Sequence, residues 1–259
     1  MAATSKTLRK PFQGVGNIIR FNWHFYLLSF FILILLFFAR NATTGVLQSL
    51  LLLAFWSALF TTLVSLFVSY YVYDVSNLYE LDWVKDLQIP NKNAKIININ
   101  AGFDETSMLL KDKFKNAELL VFDFYDPTKH TEVSIKRARK AYPPYPNTQT
   151  IQTTHISLQN NTIDAVFAIL SAHEIRDEAE RIAFFQELQR VLQPNGIIAV
   201  TEHLRDTANL LAYNIGFLHF HSKTTWLHTF EKAGLKVKEE IKITPFISTF
   251  ILQKNGITP

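Results

Sequence analysis

The chain contains no cysteine. That excludes a disulfide framework, a thiolate nucleophile and any cysteine-ligated metal. Acid is missing as well, but only from one end: the first 73 residues hold Lys6, Arg9, Lys10, Arg20 and Arg40 and neither Asp nor Glu. The chain carries 26 basic and 22 acidic residues; with five of the basic ones in that segment, the remainder nets −1. The globular part therefore shows no charge excess for nucleic acid, and none is expected as a partner. The basic run Lys136, Arg137, Arg139 and Lys140 reads as a solvated helix face. Glycine is scarce too, at eight residues in all.

What is abundant is apolar sequence near the start. Phe25 to Ala39 reads FYLLSFFILILLFFA, preceded by Phe21 and Trp23, and approaches the roughly 17–25 residues that cross a bilayer. After a short turn containing Arg40, Val46 to Tyr73 follows without a charge. Spans over about 21–40 and 46–72 predict a transmembrane helical hairpin, with Trp23, Tyr70, Tyr71 and Tyr73 at the interfaces. A signal peptide fits poorly, because no Ala-x-Ala-like site separates the runs. A buried soluble hairpin is the other reading. Basic residues ahead of the first span predict both termini and the following domain to be cytoplasmic, at a bacterial inner membrane. The domain plan is then a hairpin over 1–73, a linking helix over 74–93 and a globular domain over 94–259. The linker DVSNLYELDWVKDL places Val75, Leu78, Leu81, Val84 and Leu87 on an apolar stripe, and Pro90-Asn91-Lys92-Asn93 ends it.

From Lys95 the pattern alternates between apolar strands and amphipathic helices. Strands are expected at Ile96–Ile99, Leu119–Phe122, Thr150–Thr154, Ile163–Ile169 and Ile197–Val200. Helices are expected at Glu105–Phe114, Lys129–Ala141, Arg176–Leu192 and Thr224–Ala233. Two closing strands, near Val237 and over Ile247–Leu252, have only a short turn between them. This order predicts an α/β, Rossmann-like, doubly wound and mostly parallel sheet with an antiparallel last edge.

The carboxyl ends of such strands are where ligands bind. The first loop reads NINAGFDETS, from Asn98 to Ser107, with Gly102 as its one glycine. Asn and Asp tolerate positive φ, so Asn100 and Asp104 could preserve the turn. The second strand ends at Asp123, at the distance from the first loop where an acid meets ribose hydroxyls. Glu187 to Arg205 reads ELQRVLQPNGIIAVTEHLR: a helix, a Pro-Asn-Gly turn and a buried strand running into Glu202 and His203.

That last stretch resembles the "RVLKPGG" turn before the fifth strand of class I S-adenosylmethionine-dependent methyltransferases, with Arg190, Val191, Leu192, Pro194 and Gly196 in register. Asn195 departs from it but tolerates positive φ. Asn161-Thr162-Ile163-Asp164-Ala165-Val166 resembles the family's fourth-strand start, and His173-Glu174 its "HH" or "HE" position. The resemblance implies a seven-stranded sheet and S-adenosyl-L-methionine as cofactor. It implies cofactor contacts from Asn98, Asn100, Ala101, Gly102, Asp123, Phe124, Thr154, Ala168 and Ile169. Asn98 stands where the family has Asp, Asn100 and Asp104 where it has Gly, and Thr154 where it has an acid. A hydroxyl acceptor benefits from a general base, and His173, Glu202 and His203 are the candidates. Leu204 to Thr225 is apolar, and Phe217, Leu218, Phe220 and Trp226 would form a cover, consistent with a small apolar, lipid-like or aromatic substrate drawn from the bilayer. A plain packing helix explains this segment equally well. No metal site is expected, since His219-x-His221 has no acidic neighbour in sequence. The alternative to an enzyme is a membrane-tethered binding or scaffold protein whose eroded loop holds no cofactor. A nicotinamide-dependent reductase is disfavoured by the Pro-Asn-Gly turn and the antiparallel edge.

Overall fold

A computed structural model describes residues 9–85, 87, 89 and 93–256. Lys6 and the Pro90–Lys92 stretch lie outside the described residues.

Seven strands form one sheet: β1 (Lys95–Asn100), β2 (Glu118–Asp123), β3 (Gln149–Thr150), β4 (Ile163–Ile169), β5 (Leu192–His203), β6 (Leu235–Thr244) and β7 (Ile247–Lys254). Their order is β3-β2-β1-β4-β5-β7-β6. All neighbours are parallel except β7, which is antiparallel to both β5 and β6. The doubly wound sheet with an antiparallel edge is therefore as expected.

β4 is buried along its whole length, as a central parallel strand covered on both faces must be. Alternate residues feed two cores. Ile97, Ile99, Val166, Ala168, Ile198 and Val200 face Phe184, Phe185, Trp226 and Phe230. Those four rings come from α6 (Glu178–Val191) and α8 (Lys223–Lys232). Ile96, Ala165, Phe167, Ile169 and Ala199 meet Leu109, Leu110, Val72 and Trp83 on the other face. Leu109 and Leu110 lie on α4 (Ser107–Lys113). Asp164 accepts the Lys95 amide at 2.8 Å and so ties β4 to the start of β1.

Several local readings differ. Among the described residues of the 74–87 stretch there is no α-helix: a π-type turn (Tyr71–Val75) gives way to turns and a short 3-10 segment (Asp82–Val84). A three-residue apolar repeat drifts around a 3.6-residue helix, and the chain instead buries Leu78, Leu81, Trp83 and Val84 individually, with Leu81 at φ 51°. The basic helix α5 starts only at Val133 and runs to Ala141, because Asp126 takes the Thr128 amide into a tight turn first. The Pro194-Asn195-Gly196 turn is a bulge within β5. Asn195 is not among the residues with positive φ; what the bulge needs is a missing Cβ at Gly196, where one would lie 2.9 Å from the Asp164 carbonyl.

Ahead of the sheet stand α1 (Gln13–Phe21), α2 (Trp23–Asn41) and α3 (Gly45–Tyr70). α2 and α3 pack as a hairpin joined by a Ser29–Thr62 hydroxyl contact at 3.0 Å. Both are long and apolar enough to cross a membrane. No residue of α2 is buried, and only Val68 and Ser69 are buried in α3. The first span thus begins at Trp23. Phe21 sits on the separate helix α1, buried at 5% exposure among Phe103 and Tyr142.

α1 has no cap of its own at Phe12. Asp74, sixty residues away, supplies it: its two carboxylate oxygens accept the Gly14 and Val15 amides, each at 2.7 Å. A carboxylate there satisfies orphan donors and meets the positive end of the helix dipole. Gly14 makes the approach possible, since a Cβ would stand 2.4 Å from that of Tyr73.

Replacing Asp74 with Ala should lower stability by about 1 kcal/mol, the usual worth of a cap. It should also make Arg20 a trypsin site under native conditions in micelles. Native-state resistance at Arg20 equal to that of the parent chain would count against this role.

Candidate active-site cleft

The carboxyl ends of β1, β4 and β5 surround a cavity of about 200 Å³. Ile169, Leu170, His173 and His203 line it from the sheet side, Phe103 and Thr106 from the first loop, and Gly14, Asn17, Ile18 and Phe21 of α1 from above. Leu170 holds φ 52°, a costly conformation for a bulky residue, maintained at the strand end by the hydrogen bond its amide donates to the Thr201 carbonyl.

The first loop keeps its turn by means other than those expected. Only Gly102 has positive φ there, at 93°. Asn100 Oδ1 accepts the Gly102 amide at 3.0 Å, and Asp104 Oδ1 accepts those of Thr106 and Ser107 at 2.9 Å. Side-chain turns thus stand in for the missing glycines. Asn98 is fully buried and donates to the Thr106 and Ser107 hydroxyls at 2.9 and 2.8 Å. Three buried polar atoms in this loop have no partner: Asn98 Oδ1, Asn100 Nδ2 and Asp104 Oδ2.

β1 and β2 place Asn100 and Asp123 side by side. Asp123 accepts the Tyr125 amide at 2.8 Å and Arg139 Nη1 at 2.5 Å. The guanidinium also stacks 4.2 Å over the Tyr125 ring, and a Cβ on Gly102 would come within 2.8 Å of it. Arg139 therefore occupies the space between Asp123, Tyr125 and Gly102. A side chain of the basic run read as a solvated face thus turns inward onto Asp123, at the end of β2. Phe124 does not flank this space. It is buried against Phe184 and His130, and Tyr125 presents its ring instead. Thr154 is exposed; its neighbour Thr153 is the buried one and donates to Glu180. Ala101 is buried, Ala168 is sealed in the core, and Ile169 alone of that pair reaches the cavity.

The three base candidates take different places. Glu202 is fully buried; it accepts the His173 amide at 3.1 Å and His173 Nδ1–H at 2.6 Å. It positions His173. His203 Nδ1 donates to the Phe246 carbonyl at 3.0 Å, so Nε2 is the acceptor and takes the Tyr73 hydroxyl at 2.8 Å. Phe220 stacks on the His203 ring at 4.7 Å. His203 is thus committed to Tyr73, in the π-type turn that follows α3. His173 Nε2 points to Glu174 Oε1 at 3.3 Å, and His219 Nε2 approaches the same oxygen at 3.6 Å. Burial opposes a charge on His173, but Glu202 and Glu174 outweigh it and raise its pKa well above the ordinary 6.5. His221, by contrast, faces Arg181 and packs on Trp226. Trp226 itself is fully buried in the core and is no part of a cover. Sequence reasoning also missed Tyr73, Tyr125 and Glu132, which carry no local motif.

A family profile described as a methyltransferase domain matches residues 107–200. Similar solved structures include a protein from Pyrococcus horikoshii OT3, 18% identical, with a TM-score of 0.51 over 69% of this chain and 89% of that one. An S-adenosylmethionine-dependent methyltransferase from Aquifex aeolicus is 15% identical, with a TM-score of 0.48 over 69% of this chain and 89% of that one. One from Methanosarcina mazei is 14% identical, with a TM-score of 0.48 over 65% and 95%. No curated protein matches the chain. The chain has a doubly wound Rossmann-like α/β fold, and over residues 107–200 it matches a methyltransferase domain.

Burial is the main influence on His203 and lowers its pKa from 6.5 to about 4. Because the unfolded chain takes up this proton first, His203 contributes stability that is present above pH 6.5 and lost as pH falls through about 4. The expected loss is on the order of 3 kcal/mol. His203→Gln should flatten the fall of the thermal midpoint across this window; an unaltered slope would refute a neutral buried imidazole.

Proposed function

We propose that the chain is a membrane-anchored methyltransferase that uses S-adenosylmethionine to methylate a small apolar acceptor at the cytoplasmic face. The observation that carries this reading is the strand-end pair Asn100 and Asp123, set beside a loop with three unpartnered buried polar atoms. Orphaned donors and acceptors of this kind cost free energy unless a ligand meets them. Asp123 would hold the ribose hydroxyls once Arg139 swings away. The Arg139 side chain is 39% exposed and that of Asp123 9%, so the ribose hydroxyls would have to replace the guanidinium's hydrogen bond. Asn98, Asn100, Ala101 and Gly102 would line the rest of the cofactor, and Ile169 its edge. The cofactor supplies an activated methyl group; the protein aligns the acceptor with it and excludes water.

The acceptor side is apolar, through Phe21, Phe103, Leu170 and Phe220. The cover beside it docks on the hairpin: α7 (Thr207–Tyr213) packs against the end of α3. Leu211, Ile215 and Leu218 there remain exposed. Exposed side chains such as Phe30, Leu35, Phe38, Leu53 and Phe60 on the hairpin suit a bilayer. Among the described residues nothing covers them.

A second reading, a cofactor-free scaffold, is favoured by Arg139 on Asp123 and by a cavity of about 200 Å³, below the roughly 300–1,000 Å³ of ligand pockets. Calorimetric titration of the full chain in micelles decides between them. Binding of S-adenosylmethionine or S-adenosylhomocysteine is expected, weakened tenfold or more by Asp123→Ala and preserved or tightened by Arg139→Ala. No binding of either at millimolar concentration would leave the scaffold. The anchor has its own check: the chain should stay in the membrane pellet through an alkaline carbonate wash, and release into the supernatant would rule out the spans.

A further inference from the structure

We propose that His173, His219 and Glu174 bind one divalent transition-metal ion, Zn²⁺ by the nature of the donors, at the mouth of the acceptor side of the cleft. Each of the three residues offers one ligand atom, and these lie within 4.8 Å of one another; Glu174 Oε1 and the two Nε2 atoms are the donors that face each other. Zinc–nitrogen and zinc–oxygen bonds near 2.0–2.1 Å in a tetrahedron place neighbouring donors about 3.3 Å apart. The observed separations from Glu174 Oε1 are 3.3 Å to His173 Nε2 and 3.6 Å to His219 Nε2.

The surroundings carry the argument beyond a chance cluster. Each imidazole is held from behind by a different carboxylate. Glu202 Oε2 lies 2.6 Å from His173 Nδ1, and Glu132 Oε1 lies 3.1 Å from His219 Nδ1. A carboxylate on Nδ1–H fixes the tautomer, turns the Nε2 lone pair outward and raises its basicity, which is how ligating histidines are oriented in metal sites. Here both histidines have that support, and both aim Nε2 at the same carboxylate oxygen. The parts come from four places in the chain: Glu132 before α5, the 3-10 turn Ala172–Glu174, the end of β5, and the 3-10 segment Asn214–His219. Two imidazoles and one carboxylate match a zinc ion that keeps an open position, not the all-oxygen shells of Mg²⁺ or Ca²⁺.

His173 also lines the cavity. With three protein ligands, the fourth position is left for water or for an acceptor oxygen, whose proton a bound zinc ion makes easier to lose. This consequence rests on the methyltransferase reading and narrows its acceptor to an alcohol or phenol; the metal site itself does not depend on it.

The test is a titration of the full chain in micelles, stripped with chelator, with ZnCl₂ against a competing chromophoric chelator. One zinc per chain is expected, with His219→Ala and Glu174→Gln each weakening it at least tenfold. Glu132→Gln should weaken it less, His228→Ala should change nothing, and excess MgCl₂ should not compete. Co²⁺ in place of zinc should give the intense visible absorption of a tetrahedral site in the parent chain and lose it in His219→Ala. His219 is 29% exposed, so that variant is expected to fold; should it fail, Glu132→Gln carries the comparison. Zinc bound no more tightly by the parent than by these variants, or a Co²⁺ spectrum unaffected by them, overturns the site. S-adenosylmethionine titrated into the same preparation reads the methyltransferase proposal separately: zinc without cofactor binding keeps the metal site and removes its catalytic use.

Discussion

The Asp74 carboxylate, straddling the first turn of α1, is the contact on which the arrangement of this protein depends. It is the first acidic residue in the chain, and it falls where the second long apolar helix ends. By accepting the Gly14 and Val15 amides it folds the amino-terminal segment back onto the globular domain. Three further bonds follow from that placement: Arg9 and Asn17 to Glu105, and Tyr142 to Asn17. Arg137 closes the other end by donating to the Phe21 carbonyl. One short helix thus joins the hairpin, the first strand loop and the basic helix α5, and forms the roof of the cleft.

Beneath that roof the strand ends carry a buried polar layer whose members are matched to one another. Glu202 has no exposure to solvent, and the His173 amide and imidazole both donate to its carboxylate oxygens. His203, one residue on, points to the opposite face of β5 and has the opposite solution: burial keeps it neutral, with a carbonyl on Nδ1 and Tyr73 on Nε2. Successive residues of one strand therefore serve two different partners, the acidic–imidazole cluster on one side and the end of the long helix on the other. That alternation is a direct consequence of strand geometry.

The cofactor side shows a comparable economy of parts. Where glycines are missing from the first loop, Asn100 and Asp104 make the turn with their side chains. At the end of β2, Arg139 pairs with Asp123. Both features hold an acid-bearing strand end in shape. With these side-chain turns the loop bends around Gly102, its one residue with positive φ, without a run of glycines.

Much of this was legible in the residues. The apolar runs of the hairpin, the strand–helix alternation after Lys95, the antiparallel edge and the placing of Asp123, His173 and Glu202 at strand ends all follow from local periodicity and from the order of elements. The less legible parts share a cause. Leu78, Leu81 and Val84 are buried as a helix stripe would be, but by turns, because burial does not demand helical geometry. Phe124 and Trp226 were read as site residues and belong to the core, because an aromatic ring carries no mark of which face it serves. The sequence by itself determined the elements and their order, since hydrophobic period and turn chemistry act within a few residues. Only the tertiary structure decided that Asp74 caps α1, that Arg139 reaches Asp123, and that His219 joins His173 and Glu174 across forty-five residues. Hydrogen bonds and ion pairs act over a few ångströms in space, whatever the separation along the chain.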